Sequence, residues 1–170
     1  MIADRPAEVE DRIQIGHWEG DCIMGPGNRS AIGTLVERVT RFVILIHLAT
    51  GQSTSTAMRD GIVDALGALA PHLRRTLTWD QGKELALHSQ ITARIGTRVF
   101  FCDAHSPWQR GSNENTNGLL RDYFPKGMDL AGISPEHLQQ VADELNDRPR
   151  KTLGWARRAD LIADAVLRTA

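Results

Sequence analysis

Apolar residues recur along this chain in two rhythms, and their succession outlines an alternating fold. Residues 13–24, IQIGHWEGDCIM, read as a strand without clean alternation, the look of a central strand covered on both faces. Residues 31–38 and 42–48 are rich in Val, Ile, Leu and Thr, and the short link Val39-Thr40-Arg41 makes them a hairpin. Met58, Ile62, Leu66 and Leu69 have the spacing of an amphipathic helix over 54–70, which Pro71 stops. Thr76 to Trp79 is a short strand ending at Asp80, and Gln81-Gly82 turns the chain. Leu87, Ile91 and Ile95 mark a second helix, and Arg98 to Cys102 another strand. The polar loop DAHSPWQRGSNEN leads into a helix carrying Leu119, Leu120, Tyr123 and Phe124. Ser134 is an N-cap with proline at the first helical position, Leu138, Val141, Ala142 and Leu145 form that helix's face, and Pro149 ends it. A last amphipathic stretch runs from about Ala159 to the end. This order predicts an α/β fold whose sheet, because of the hairpin, is mixed.

Composition narrows the class. With 170 residues, 41% hydrophobic and 24% charged, the chain reads as one globular domain and not as a collagen-like, disordered or coiled-coil protein. We divide it into an acidic lead-in (1–12), a core (13–155) and a C-terminal helix (156–170). The longest apolar run, Phe42 to Leu48, is interrupted by His47 and too short to span a bilayer. The opening MIADRPAEVEDR lacks the apolar stretch of a secretory signal. Cys22 and Cys102 make neither a disulfide framework nor a zinc spacing and read as buried thiols of a reducing cytosol. The expected location is the cytoplasm, with no membrane partner. The net charge of -1 argues against a general nucleic-acid binder, but the charge is unevenly spread. Residues 1–21 are acidic, whereas Arg148, Arg150, Lys151, Arg157 and Arg158 face only Asp147 within 146–158. Such a segment is more often a solvated surface than a binding site.

Three acids stand where an α/β sheet places chemistry. Asp21 lies in the first strand, Asp80 just past the carboxyl end of a later one, and Glu114 at the start of a helix. Carboxylates are hard ligands suited to Mg²⁺ or Mn²⁺, and three of them converging would repel one another without cations. Singly, each has a plainer explanation: Asp80 before Gln-Gly suits a turn, and Glu114 suits a helix N-terminus.

Longer words shift the balance. GHWEGD (16–21), SAIGTLVER (30–38), LTWDQGKE (77–84), HSPWQRGSNENTNGLLRDYFPKG (105–127) and ELNDRPRKTLGW (144–155) together resemble the DDE transposases of bacterial insertion sequences, in the IS-thirty branch. The resemblance runs from about Gly16 to Trp155. It implies a ribonuclease H-like fold, two bound Mg²⁺ (or Mn²⁺) ions, and DNA cleavage at element ends followed by strand transfer into target DNA. Asp21, Asp80 and Glu114 fall on the family's catalytic and metal-binding acids, and Arg121 on a basic position often found after the glutamate. Implied partners are DNA and further copies of the chain or full-length transposase.

Around these acids two uses compete. His105, Trp108, Gln109 and Arg110 could hold DNA through phosphate contacts and stacking, or Trp108 could pack on the sheet while His105 caps a turn. Asn113 and Asn117 could orient ligands or DNA, or cap the helix. His17 and Glu19 share Asp21's strand parity, and for His17 a structural role is favoured. In a helix, Glu114 and Arg121 share a face two turns apart, about 10.5 Å in rise, which would place Arg121 against a DNA phosphate; pairing with Asp122 or packing over Phe124 is the plainer alternative. Arg148, Arg150 and Lys151 complete the candidate DNA surface. Ala104 replaces the family's usual proline, and ARRADLIADAVLRTA after Trp155 departs from its usual turn. The family's N-terminal helix-turn-helix, which reads element ends, has no counterpart in these residues, so a non-catalytic remnant that interferes with full-length transposase is the rival reading.

Overall fold

The computed structural model describes residues 1–48, 54–80, 82–103 and 111–168. Five strands form one mixed sheet: β1 (His17–Met24), β2 (Ala31–Glu37), β3 (Val43–His47), β4 (Thr76–Trp79) and β5 (Arg98–Phe101), in the spatial order β3-β2-β1-β4-β5. β1, β2 and β3 pair antiparallel, while β4 and β5 run parallel to β1. The α-helices among the described residues are α1 (Thr54–Gly67), α2 (His88–Ile95), α3 (Gly111–Tyr123), α4 (Pro135–Asp147) and α5 (Arg158–Leu167). The expected α/β class, mixed sheet and ribonuclease H-like plan are what the chain adopts.

β1 is central and covered on both faces. Its even positions face α1 and α2, where Trp18 joins Leu35, Ile46, Met58, Ile62, Leu66, Leu77 and Trp79 in one core. Its odd positions face α3 and α4, where Ile23 meets Ile32, Leu120, Phe124, Leu138 and Val141 in a second. The ragged pattern of 13–24 has a specific cause: the odd positions begin polar, with His17, Glu19 and Asp21, and turn apolar only at Ile23. Gly20 is required where it stands, because a Cβ there would lie 2.1 Å from the Trp79 ring. β1 begins at His17 and not at Ile13, since Gly16 takes a φ of +105°, outside extended geometry.

Helix α4 starts as the sequence predicts, with Ser134 Oγ accepting the His137 N–H and Pro135 in the first turn. Its Asn146 donates to Val43 O and accepts from Val43 N, both at 2.9 Å, which satisfies part of the outer edge of β3. The acidic lead-in is not simply solvated. It makes two short helical turns, Ile2–Asp4 and Ala7–Val9, buries Val9 completely and inserts the Arg5 guanidinium, which donates to Thr78 Oγ1 and pairs with Glu10. Cys102 is buried, whereas Cys22 is only half-buried. Among the described residues no helix is long and apolar enough to cross a membrane.

Candidate active site

The parallel register pairs Glu19 with Thr78, so two residues further on Asp21 comes level with Asp80. Both carboxylates then lie on the α3 side of neighbouring strands, whose spacing is about 4.8 Å. Asp21 is oriented by the Cys22 N–H at 2.9 Å on Oδ1 and by Asn117 Nδ2 at 3.0 Å on Oδ2. Asp80 accepts the Gly82 N–H at 2.9 Å, so the turn role open to it is realised. Burial, then the negative charges of Glu84, Asp21 and Asp80, push the Cys22 thiol well above its ordinary range. Glu84, inside the word LTWDQGKE but not singled out from it, also accepts from Trp79 Nε1 at 3.2 Å.

Helix α3 is seated on this face by polar contacts. Thr34, opposite Asp21 in the antiparallel ladder, places Oγ1 3.2 Å from Asp21 O, Asn113 Oδ1 and Asn117 Oδ1. Glu19, fully buried, reaches the helix start: its Oε2 accepts the Ser112 and Asn113 N–H groups at 3.0 and 3.2 Å. Its Oε1 pairs with Arg38 at 2.6 Å and lies 3.7 Å from Arg12. Strand parity pointed to Glu19 but not to this task, because nothing local in the sequence brings residue 112 to residue 19. His17 takes the structural role, with Nδ1 2.8 Å from Thr76 Oγ1, and burial lowers its pKa to about 4.

Glu114 lies on α3 one turn before Asn117, and its side chain is exposed. Among the described residues no three His, Cys, Asp or Glu side chains stand close enough to hold a metal ion, so Glu114 is not gathered with the two aspartates. The donor set still fits a hard divalent cation. One carboxylate is within β1, the second just past the end of its neighbour β4, and the third is on the helix that Asn117 ties to Asp21. Arg121 shares the continuous α3 with Glu114, yet its guanidinium donates to Phe124 O and Met24 O, both at 3.4 Å, and not to Asp122. The basic segment is not one exposed face: Arg158 is buried, Arg157 pairs with Asp160, and Arg148 lies over the Tyr123 ring and donates to its hydroxyl. Arg150 is half-buried and Lys151 exposed. Ala104, His105, Trp108, Gln109 and Arg110 lie outside the described residues.

The family model of the integrase core domain matches residues 11–107. The chain belongs to the integrase core family. Among its relatives, the transposase of insertion sequence element IS1086 from Cupriavidus metallidurans is 52% identical over 162 residues, covering 95% of this chain and 47% of that protein. The transposase InsI of IS30A from Escherichia coli K12 is 45% identical over 168 residues, covering 99% of this chain and 43% of the relative. The chain thus spans about half the length of the curated relatives it matches. A chain of the simian T-cell lymphotropic virus intasome in complex with PP2A regulatory subunit B56 gamma shares the fold, with a TM-score of 0.60 at 18% identity over 81% of this chain and 50% of that one. This integrase core is thus similar, over nearly its whole length, to the transposases of IS1086 and IS30A. The family match ends before Glu114, whereas the two transposases match over nearly the whole chain.

Proposed function

We propose that this core hydrolyses DNA phosphodiesters at the ends of an insertion element and transfers the freed strands into target DNA. The observation that carries the reading is the parallel register that pairs Glu19 with Thr78, two residues before Asp21 and Asp80, beneath a helix clasped to Asp21 by Asn117. Asp21, Asp80 and Glu114 would hold two Mg²⁺ or Mn²⁺ ions. When bound, these supply activation of the attacking oxygen and stabilisation of the leaving one. Asn117 fixes the rotamer of Asp21, and Glu19 fixes the start of the helix that carries Glu114. Water is the first nucleophile and leaves a 3′-hydroxyl on the element; that hydroxyl is the second and displaces a strand of the target. Arg121, Arg148, Arg150 and Lys151 are placed in this reading along the DNA path, with Trp108, Gln109 and Arg110. Further copies or full-length transposase are its partners, and the bacterial cytoplasm its location.

The test is Mn²⁺-dependent cleavage of pre-nicked DNA by the 170-residue chain and by Asp80→Asn. Cleavage by the wild type and none by the variant is expected. No cleavage by either, together with inhibition of a full-length transposase, would establish the non-catalytic remnant instead.

A further inference from the structure

A second polar site lies on the opposite flank of α3 from Asp21. Arg12, Arg41, Arg150 and Arg158 converge with Ser112 and Asn115 around a cavity of about 320 Å³, and no acidic side chain is among the described residues lining it. The arginines come from four separate places: the lead-in, the β2–β3 turn, the segment after α4 and the first turn of α5. Arg12 and Arg41 both donate to Ser112 Oγ, and Arg12 is partly balanced by Glu19 at 3.7 Å. Arg158 is not balanced. It is 1% exposed, and its Nε and Nη1 have no hydrogen-bond partner among the described residues. Burial, then the positive charges of Arg150, Arg41 and Arg148, bring its pKa down to about 10, with no carboxylate of the described residues among the causes. Arg12 and Arg41 also sit at φ of +51° and +62°, a region that non-glycine residues seldom occupy.

A buried cation facing other cations is unfavourable unless an anion completes the set. Guanidinium groups match the planar, bidentate demand of phosphate oxygens. From this geometry we infer that the pocket lined by Arg12, Arg41, Arg150 and Arg158 is a phosphate site that grips one backbone phosphate of the DNA strand crossing α3. Asn115 and Thr116 line it, and Glu114 lies about 100° of helix rotation before Asn115, so a strand seated there passes the catalytic face within one turn of helix. The inference rests on the proposed DNA reaction for its strand, but not for its anion.

The test measures binding, not cutting. Anisotropy of a labelled random-sequence duplex is followed over a KCl series with the 170-residue chain, Arg158→Met and the half-buried Arg150→Gln. Each variant should bind more weakly, with the slope of log affinity against log salt shallower by about 1. Thermal melts in chloride and in inorganic phosphate at equal ionic strength supply the second readout. Phosphate should raise the wild-type Tm and leave Arg158→Met unmoved, and Arg158→Met should melt above the wild type in chloride, because an unbalanced charge has gone. If phosphate raises the wild-type Tm but both variants keep the wild-type salt slope, the pocket holds a free anion and the strand assignment falls. If Arg158→Met melts lower in chloride and phosphate has no effect on the wild type, Arg158 is structural and the site is refuted. A wild type that shows the arginine-dependent slope yet never cuts overturns the reaction and leaves the site standing.

Discussion

Glu19→Gln is the substitution whose consequences the structure fixes most closely. The carboxylate does two jobs: one oxygen neutralises Arg38, itself 2% exposed, and the other receives the first N–H groups of α3. An amide keeps one acceptor and turns a donor either toward a guanidinium or toward two N–H groups, so one side of the arrangement must fail. Breaking a buried pair by removing one partner costs about 3–5 kcal/mol. Glu10, 3.7 Å from Arg38, remains as a partial partner and favours the lower figure. At about 2–4 °C per kcal/mol for a domain of this size, Tm should fall by roughly 6–12 °C. The kinetic effect should be larger than the stability loss implies, because the helix that shifts carries Glu114 and Asn117, and a misplacement of about 1 Å can cost about 100-fold.

A matched control exists in the same molecule. Glu37 is equally buried and accepts from Gly16 N, Val39 N, Thr40 N and Thr40 Oγ1, none of them on α3. Glu37→Gln should also lose stability, by about 2–3 kcal/mol, since hydrogen bonds to a charged acceptor are its main contacts. Cleavage of pre-nicked DNA is then compared at a temperature well below both melts. The expectation is a near wild-type kcat for Glu37→Gln and a kcat lowered by about 100-fold for Glu19→Gln, with DNA affinity little changed in both. Equal cleavage by the two variants would refute the claim that Glu19 positions α3.

Three further outcomes are expected. Asp21→Asn, Asp80→Asn and Glu114→Gln should each abolish cleavage while the fold survives, and calorimetric titration should show weakened Mn²⁺ binding; undiminished binding in all three would sink the assignment. The pKa of His17, lowered from 6.5 to about 4, keeps it neutral in the fold while the unfolded chain takes up a proton below about pH 6.5. Its contribution is therefore intact above pH 6.5, is lost as pH falls toward 4, and amounts to at most about 3 kcal/mol. Urea midpoints across that window should fall in the wild type and fall less steeply in His17→Gln; parallel curves would contradict the linkage. Arg121→Ala should lower DNA affinity and cleavage with Mn²⁺ affinity unchanged, and Arg121→Lys should recover only part; a wild-type rate from Arg121→Ala at subsaturating DNA would reduce Arg121 to its bonds with Phe124 O and Met24 O.

Periodicity made most elements legible, because each helix buries an apolar stripe and each hairpin strand an apolar face. The start of α4 was readable to the residue, since Ser134-Pro135 is a local signal and its cap forms locally. Less accessible was whatever depends on pairing distant residues. Val9 and Arg5 lie within a stretch that is acidic overall, yet the pocket for Arg5 is built by Thr78, 73 residues away. Arg158 belongs to a run of basic residues that composition alone assigns to solvent, and only the return of α5 to the β2–β3 turn buries it. The aspartates were visible as words of sequence. Their level placement follows from a parallel register that no single segment encodes.

The polar side of β1 also resolves a conflict of charge. Glu19 and Asp21 point the same way along the strand, about 7 Å apart by strand geometry, and Asp80 is level with the second. Three uncompensated carboxylates at that spacing would each oppose the ionisation of the others. Glu19 is removed from the conflict by Arg38, Arg12 and two helix N–H groups. Asp21 is held differently: the Cys22 N–H and the Asn117 amide are neutral donors that fix its direction. One strand thus carries two like acids with different partners, the inner one holding guanidinium groups and the helix start, the outer one held by a backbone N–H and a side-chain amide. Exchanging those partners, by placing an arginine at Asn117, should leave the helix seated while discharging Asp21. Asn117→Arg is therefore expected to retain the wild-type melt within a few degrees and to lose Mn²⁺ affinity. A variant that keeps full Mn²⁺ affinity would show that the charge of Asp21 is not what the site depends on.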